Sequence, residues 1–408
     1  MKLLIVSQHF WPEKFTINDV ALELKNRGHE VHILTGKPNY PRGNFFQGYS
    51  FLEPCKEYWN GIKIYRLPII PRGKASGAQL FFNYMSFILA GLFLSPIVFR
   101  KARYEVIFVY GTSPIFQVVP ALLLGKLFKI PVVLWVQDLW PESLSATGYV
   151  KSPMLLKLVK FFVKLVYNQV DLILVQSRAF VEPILKMVPK KRILYFPNSV
   201  GKYFYNSQSN STPDIQVLDS GFNLLFAGNI GVAQSMETIV FAASRLRNYP
   251  KIKIIIFGAG SRLSWVKEEV RVRGLKNVVL GGEHPMEAMP HLMRKASALL
   301  VTLAGDPIFS LTVPNKIQAY LAVGKPIIAS LNGEGARLIL EANAGLAVNA
   351  EDSIGLANAI IKMYKMTEIQ RNQFGENGQF FFKNNFDENV LSDCLIAHFE
   401  ELAGKEKF

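Results

Sequence analysis

Two glycine-containing loops in the second half of the chain have residue types that suit a diphosphate. The first, Gly228-Asn229-Ile230-Gly231, lies between a predicted strand and a predicted helix. Glycine allows the backbone amides of such a turn to approach phosphate oxygens, and the start of the helix adds positive potential. The alternative is a tight strand-to-helix turn that binds no ligand.

The second loop runs from Gly258 through Gly260 to Arg262. It resembles the start of a dinucleotide-binding fingerprint. However, the third glycine and the acidic residue that would bind the ribose are missing, which argues against hydride transfer. Arg262 stands at a predicted helix start, from which it could reach a phosphate or the nucleoside. Glu283 is a further candidate for donor binding.

The segment Val313-Pro314-Asn315-Lys316 predicts a third part of the same site. Pro314 suits the first turn of a helix, so the amides of Asn315 and Lys316 would point out of a helix amino terminus. Lys316 adds a full positive charge, which could stabilise the charge that grows on a departing nucleoside diphosphate. The alternative is a solvated lysine, but a cation at this helix end is destabilising unless an anion is present.

In the first half, Asp138 follows a strongly apolar predicted strand, with Trp140 and Glu142 just beyond it. Aromatic rings can stack on the CH faces of a sugar while carboxylates accept hydrogen bonds from its hydroxyl groups. Asp138 could therefore position or deprotonate an acceptor hydroxyl. Alternatively, it caps the following helix. The loop after the first predicted strand offers three matching acceptor-binding candidates: His9, Trp11 and Glu13.

No pattern in the sequence predicts a metal site. The six histidines are scattered, and there is no Asp-x-Asp pair of the kind that holds a divalent ion against a diphosphate. Cys55 and Cys394 lie far apart, which excludes a disulfide scaffold and fits a reducing compartment. We therefore expect neither a metal nor another cofactor.

The elements that must position these residues alternate between short apolar runs and helical patterns, which is typical of parallel, doubly wound sheets. A length of 408 residues also favours two domains over one. We predict a Rossmann-like α/β domain over residues 1–200 and a second over residues 201–384, facing a central cleft, followed by a segment 385–408. The polar stretch 206–214 is the predicted linker. The predicted strands are 2–7, 31–35, 104–110, 131–136, 171–175, 223–227, 251–257, 278–280, 298–302, 326–329 and 345–348.

Positive charge is concentrated in the first domain. The net charge of the chain is +15, and residues 1–200 contain 25 Lys or Arg against 11 Asp or Glu. Such a basic half suits nucleic acid or anionic lipid. Residues 75–99 carry no charge, which favours lipid, so we expect an anionic membrane surface as a partner and no nucleic acid.

The uncharged segment 75–99 is long enough to span a bilayer. A single crossing would place strands of one sheet on opposite sides of the membrane, so we favour a helix that lies in the interface, with a buried helix as the alternative. In residues 152–167, Lys157, Lys160 and Lys164 share a helix face among apolar residues. This segment is either a surface helix or a second membrane-docking element.

Taken together, these segments resemble the retaining glycosyltransferases of family 4, which have the GT-B fold of two Rossmann-like domains. Within that family, they are most similar to the subgroup that builds O-antigen or capsule repeat units, and in particular to N-acetyl-L-fucosamine transferases. The resemblance rests on His-Phe-Trp-Pro-Glu at 9–13, Arg-Gly-His-Glu-Val at 27–31, Trp-Val-Gln-Asp-Leu-Trp-Pro-Glu-Ser at 135–143, Phe-Pro-Asn at 196–198, Ala-Gly-Asn-Ile-Gly at 227–231, Val-Pro-Asn-Lys-Ile-Gln-Ala-Tyr-Leu at 313–321, Gly-Lys-Pro at 324–326 and Asn-Gly-Glu-Gly-Ala at 332–336.

The resemblance implies that the second domain binds a UDP-sugar and that the first binds the acceptor. It implies transfer with retention of configuration, without a metal and without an enzyme nucleophile. The expected sugar is N-acetyl-L-fucosamine or a related N-acetylated hexose. The expected acceptor is an undecaprenyl-diphosphate-linked saccharide of O-antigen, capsule or lipopolysaccharide biosynthesis, at the cytoplasmic face of the plasma membrane. The last segment is expected to cross back and pack on the first domain.

The chain departs from the family pattern on the donor side. Many members have two glutamates separated by seven residues before the Gly-Lys-Pro, and these positions hold Leu311 and Ala319 here. Glu334 is then a candidate for recognition of the donor ribose. The usual phosphate-binding Arg and Lys correspond to Asn229 and Gln234. The family's first-domain histidine falls at Gln137 or Asp138.

Two other functions fit parts of this pattern. A nucleotide-sugar epimerase of the same fold would need acid and base carboxylates but no membrane surface. A non-catalytic partner in a polysaccharide assembly complex would explain the two missing glutamates. The intact Asn315-Lys316 helix start argues against a non-catalytic role, because a scaffold does not need it.

Overall fold

The computed structural model of the chain describes residues 1–146, 152–205, 218 and 220–405. These residues form two compact α/β units, each built on a mostly parallel sheet, which confirms the predicted fold class. The first unit comprises Met1–Pro197 and the chain from Leu391 onward, and the second comprises Asn198–Val390. The predicted linker 206–214 lies outside the described residues.

The sheet of the first unit has eight strands. They are β1 (Lys2–Val6), β2 (Glu30–Gly36), β3 (Lys56–Trp59), β4 (Ile62–Leu67), β5 (Val106–Gly111), β6 (Val132–Val136), β7 (Leu172–Val175) and β8 (Ile193–Tyr195). Their order is β3-β4-β2-β1-β5-β6-β7-β8, and β3 runs antiparallel to β4. The central strands β1, β5, β6 and β7 consist almost entirely of buried apolar residues, as expected of a sheet covered on both faces.

Six helices of the first unit connect these strands. They are α1 (Thr16–Asn26), α2 (Gly77–Phe99), α3 (Val119–Phe128), α4 (Glu142–Ala146), α5 (Pro153–Gln169) and α6 (Val181–Met187). Helix α1 ends just before Gly28, whose φ of 87° is a conformation that favours glycine. A β-branched or bulky residue at this position would strain the turn into β2.

Helix α2 has the length and composition needed to cross a membrane. Its buried side includes Asn83, Gly91 and Ser95, whereas its exposed side includes Phe82, Leu89 and Phe93, with 55%, 47% and 72% of their surface accessible. The buried side also contains Leu80, Phe87 and Phe99, so large apolar side chains lie on both sides of α2, unlike a helix with one face in water. The outer side of α2 is therefore a continuous apolar surface.

Helix α5 has a similar outer side. Only Val163, Val166 and Tyr167 of this helix are buried. An exposed stripe at spacings of three and four residues lies opposite them and comprises Met154, Leu158, Phe161 and Leu165. The exposed lysines Lys157, Lys160 and Lys164 lie along one flank of that stripe. The helix thus places positive charge beside an apolar surface.

The second unit contains a six-stranded parallel sheet. Its strands are β9 (Phe222–Ala227), β10 (Ile252–Phe257), β11 (Val278–Gly282), β12 (Ala298–Thr302), β13 (Ile327–Ser330) and β14 (Gly345–Val348), in the order β11-β10-β9-β12-β13-β14. The helices are α7 (Met236–Arg245), α8 (Leu263–Val272), α9 (Met289–Lys295), α10 (Pro307–Leu311), α11 (Asn315–Val323), α12 (Glu334–Glu341), α13 (Ser353–Lys365) and α14 (Glu368–Asn385).

The last helix, α15 (Glu388–Lys405), returns to the first unit. Its Leu391, Leu395, Phe399 and Leu402 join the core formed by α1 and one face of the first sheet. The returning part begins at Leu391 and not at residue 385, because Phe382 and Phe386 belong to the core of the second unit. Likewise, the first boundary falls after Pro197 and not after residue 200.

Candidate functional site

In the second unit, the loops after β9 and β10 pack directly on each other. The amide of Gly228 donates a hydrogen bond to the carbonyl of Phe257 at 3.0 Å, and the amide of Ile230 donates to the carbonyl of Ala259 at 2.8 Å. A Cβ added to Gly258 would lie 1.9 Å from the Gly228 carbonyl oxygen, and the φ of Gly258 is +130°. The glycines of these loops are thus required by the close approach of two backbones, and the amides of Gly228 and Ile230 already have partners.

The side chain of Lys316 lies against the first of these loops. Its Nζ donates to Oε1 of Gln234 at 2.6 Å and lies 3.8 Å from the centre of the Phe226 ring. A Cβ at Gly228 would be 2.8 Å from Cε of Lys316, so the glycine leaves room for the lysine chain. The structure therefore brings together the two motifs that the sequence predicts to bind a diphosphate.

The environment of Lys316 favours a neutral amine. Burial lowers the pKa of Lys316 to about 7, because desolvation penalises the charged form. Among the described residues, no carboxylate lies within ion-pair distance of its Nζ. A ligand that carries negative charge would supply the missing counter-charge and restore the ammonium form.

The neighbours of Lys316 in sequence start helix α11. Pro314 is the residue that precedes the helix and not its first helical residue, and Val313 is buried in the core. The side chain of Asn315 accepts a hydrogen bond from Nδ2 of Asn198 at 3.0 Å. The amino terminus of α11 is thus held in place while Lys316 extends toward Gly228.

Two further donor-side candidates are held in ion pairs. Arg262 pairs with Glu237, and its guanidinium lies 4.4 Å from the centre of the Trp265 ring. The carboxylate of Glu334 is bound by Arg337 through two hydrogen bonds of 2.8 Å. Arg337 thus neutralises Glu334 and donates to both of its oxygens, so a ribose would share this carboxylate with Arg337.

The remaining donor-side candidates differ in accessibility. Asn229 is exposed in the loop after β9, whereas the neighbouring Ile230 is buried. Glu283 is exposed directly after β11. These positions place Asn229 after β9 and Glu283 after β11, two strands that flank β10, at the carboxyl edge where open α/β sheets bind ligands.

In the first unit, Asp138 lies at the carboxyl end of β6 and is bound by Ser113. Its Oδ2 accepts hydrogen bonds from the Ser113 amide and from Ser113 Oγ, both at 2.8 Å. Nε1 of Trp140 donates to the same Oγ at 2.9 Å. Asp138 is thus held by the loop after β5, and it does not act as a simple cap of the following helix.

The His9 loop is organised by Glu13. Oε1 of Glu13 accepts hydrogen bonds from the amides of Asn39 and Tyr40, at 2.8 Å and 2.6 Å, and Oε2 lies 3.0 Å from Nδ1 of His9. The His9 ring stacks on Phe15 with 5.3 Å between ring centres. Glu13 thus positions backbone and imidazole, and its carboxylate is buried beneath the loop that it organises.

The tryptophans contribute less exposed surface than the sequence suggests. Trp135 is in the core, where its Nε1 donates to the Phe196 carbonyl at 2.8 Å. Trp140 is buried as well, whereas Trp11, which stacks on Trp59, is partly exposed. The expected sugar-stacking role is therefore not open to Trp140 in this conformation.

Oε2 of Glu142 is buried and has no hydrogen-bond partner among the described residues.

Sequence reasoning missed three side chains that shape these sites: Phe226, Gln234 and Ser113. Phe226 lies in β9 and looks like an ordinary core residue. Gln234 is named in the sequence analysis only because it replaces a phosphate-binding residue of the family. Ser113 stands two residues after the end of β5, and its position just beyond a predicted strand was the available signal. In the part of the chain that the structure describes, no three His, Cys, Asp or Glu side chains form a group that could hold a metal ion.

Two family models match the chain, one in each half. Residues 15–199 match the Glycosyl transferase 4-like domain, and residues 221–366 match Glycosyl transferases group 1. The two matches fall on the first and the second unit, respectively. They cover the loops of Asp138, Gly228 and Lys316.

Similar proteins have been described in bacteria. The chain is 26% identical to the "Putative colanic acid biosynthesis glycosyl transferase WcaI" of Escherichia coli (strain K12), over 79% of this chain and 82% of that protein. Sucrose-phosphate synthase (tll1590) from Thermosynechococcus elongatus has a similar structure, with a TM-score of 0.76 and 16% identity over 99% of both chains. Anabaena Alr3699/HepE in complex with UDP and glucose matches with a TM-score of 0.67 and 15% identity, over 98% of this chain and 100% of that one.

Proposed function

We propose that this chain, a glycosyltransferase of the GT-B fold, transfers a sugar from a UDP-sugar to a lipid-linked saccharide in the biosynthesis of a bacterial polysaccharide. The similarity to a protein named for colanic acid biosynthesis supports the polysaccharide. A solved structure of similar fold holds UDP and glucose, which supports the class of donor. N-acetyl-L-fucosamine, or a related N-acetylated hexose, is the sugar we propose.

The observation that carries this proposal is the position of Lys316. Its amine lies beside the Gly228 loop at the start of α11, desolvated and without a carboxylate partner among the described residues. Negative charge grows on the diphosphate as its bond to the sugar breaks, and a preorganised cation stabilises that charge. In this proposal Lys316 supplies the cation, so the donor needs no divalent metal ion.

On the acceptor side, we propose that Asp138 positions the attacking hydroxyl. Ser113 fixes one carboxylate oxygen of Asp138, which leaves the other oxygen to accept a hydrogen bond. The acceptor attacks on the face that the leaving group vacates, as retention requires, and the diphosphate oxygen takes up the hydroxyl proton. No enzyme nucleophile is needed in this scheme.

We propose further that helices α2 and α5 dock the enzyme on an anionic membrane at the cytoplasmic face. The exposed apolar sides of both helices suit the acyl chains of such a membrane, and Lys157, Lys160 and Lys164 suit its anionic headgroups. Each lysine near anionic lipid contributes about 1 kcal/mol, and apolar side chains enter the boundary between headgroups and acyl chains. A membrane surface would present an undecaprenyl-diphosphate-linked saccharide to the first domain.

Incubation of the protein with bacterial membranes and a panel of UDP-sugars tests the function. We expect radiolabelled sugar to appear in the lipid fraction with one donor of the panel, and with EDTA present. Conversion of the donor to its epimer without transfer would refute the proposal and favour an epimerase. Binding of UDP without any turnover would refute it and favour a non-catalytic partner.

Substitution of Gly258 tests whether the two donor-side loops form the nucleotide site. We expect Gly258→Ala to weaken UDP binding at least ~10-fold, because the new Cβ would collide with the Gly228 carbonyl and an alanine at this φ is strained. Gly274→Ala is the matched control, since Gly274 also has a positive φ but an added Cβ meets nothing within 4 Å. If calorimetry finds equal UDP affinity in both variants, these loops do not form the nucleotide site.

A further inference from the structure

A chain of hydrogen bonds begins at Asn83, on the buried side of the apolar helix α2. The Oδ1 atom of Asn83 accepts from Nε2 of Gln8 at 2.7 Å, and its Nδ2 donates to the carbonyl of Ile70 at 2.5 Å. Asn83 is fully buried. Gln8 lies just beyond the carboxyl end of β1, so this bond joins α2 to the sheet edge that carries the acceptor-side candidates.

The chain continues from Gln8 to Asp138. The amide of Gln8 donates to Oε1 of Gln117 at 2.7 Å. Nε2 of Gln117 donates to the carbonyl and the hydroxyl of Thr112, at 2.8 Å and 3.0 Å. The next residue, Ser113, donates twice to Asp138 at 2.8 Å. Every step from α2 to the Asp138 carboxylate is therefore a hydrogen bond or the covalent backbone.

Close packing supports the same connection. A Cβ at Gly91 of α2 would lie 2.4 Å from Cγ of Pro120, in the first turn of α3. Helix α2 also contacts the short 3-10 turn Ile115–Val118, which carries Gln117. Because tightly packed elements shift as units, a displacement of α2 would move this turn and the residues bonded to it.

We propose that Asn83 is a positioning residue that couples docking of α2 on a membrane to the placement of Asp138. This inference rests on the proposed function and on the proposed docking surface. Seating α2 in the interface fixes Gln8, Gln117 and the loop at Ser113, and Asp138 is ordered with them. The enzyme is then more active on a membrane than in solution, even toward an acceptor that does not need the membrane for delivery.

Hydrogen exchange measured by mass spectrometry tests the coupling without relying on activity. We expect vesicles of phosphatidylethanolamine and phosphatidylglycerol to slow exchange in residues 106–118 of the wild-type protein as well as in α2. In Asn83→Leu, vesicles protect α2 but not residues 106–118, because the bond to Gln8 is lost. Ser95→Ala is the matched control: it removes a buried hydroxyl of α2 whose hydrogen bond, within the described part of the chain, goes to the Gly91 carbonyl of its own helix.

Gln8→Met breaks the same bond from the strand side and leaves α2 intact, so it replaces Asn83→Leu if that variant does not fold. Equal protection of residues 106–118 in the variant and the wild type would overturn the coupling. So would a wild-type protein that sediments with vesicles and shows no change in that segment.

The kinetic consequence is measured with an acceptor saccharide on a short, water-soluble alkyl diphosphate. We expect vesicles to raise the wild-type kcat about 5-fold or more, the lower range of coupling between sites, with little change in the KM for donor. Asn83→Leu should lose this stimulation while UDP binding stays normal. A wild-type protein that transfers no sugar, yet shows the vesicle-dependent protection, would refute the proposed function and support the coupling.

Discussion

Lys316→Met lowers the rate of sugar transfer at least ~100-fold, while the protein folds and its melting temperature is unchanged or higher. Methionine keeps an unbranched side chain, one atom shorter, but it removes the amine that lies over the Phe226 ring and would stabilise the leaving diphosphate. The fold does not depend on that charge, because a desolvated lysine without a carboxylate partner is a cost to the free protein. Initial rates with saturating donor, together with thermal denaturation, measure both effects.

Lys253→Met serves as the control for this substitution. Lys253 is also partly buried in the second unit, but it lies near the amino end of β10, away from the loops that follow the strands. We expect its variant to retain near-normal turnover. Equal rates of sugar transfer for Lys316→Met and the wild type would show that Lys316 has no role in the reaction.

The affinity for the donor should also depend on pH through Lys316. Its pKa is about 7 in the free protein, and a bound diphosphate favours the ammonium form, so the pKa is higher in the complex. Above pH 7, Lys316 therefore takes up a proton when the donor binds. The affinity is constant below about pH 7 and falls as the pH rises from there toward the pKa of the complex. Calorimetry with a UDP-sugar should show this slope in the wild type and none in Lys316→Met.

Replacement of three exposed residues of α2 by serine, in the triple variant Phe82→Ser, Leu89→Ser and Phe93→Ser, abolishes binding to vesicles. We expect the partition coefficient to fall at least ~100-fold, because each side chain contributes on the order of 1 kcal/mol when it leaves water. All three are exposed in the free protein, so folding should be little affected. Sedimentation with phosphatidylglycerol-containing vesicles measures the change.

A matched triple variant in the second unit controls for the general loss of apolar surface. Leu340, Ile369 and Phe380 are at least as exposed as the three residues of α2, and we expect their replacement by serine to leave vesicle binding intact. If both triple variants bind vesicles as the wild type does, α2 is not the docking surface.

The fold could be predicted from the sequence where strands are buried on both sides. The runs at 2–7 and 131–136 correspond to β1 and β6, because continuous apolar stretches bounded by turns have few alternatives. Strands β3, β4 and β8 were missed. The burial of β3 and of most of β4 alternates along the strand, and β8 has only three residues, so none of them produces a long apolar run.

The candidate site could be predicted only in part. Gly228 and Lys316 each follow from a local motif, and parallel topology brings the carboxyl ends of strands together. The contact of Lys316 with Gln234, and the bond between Ser113 and Asp138, join loops that are distant in sequence, so no local pattern reports them. The pair of Glu334 and Arg337 is different, because a spacing of three residues on a helix already predicts such an ion pair.

The return of α15 to the first unit sets an order for folding during synthesis. The core around α1 needs Leu395 and Phe399, which leave the ribosome after the whole of the second unit. The second unit is contiguous in sequence and can complete its own core as soon as it has emerged. The domain that is synthesised first is therefore the one that is finished last, and until then the sheet surface that α15 covers is open to chaperones.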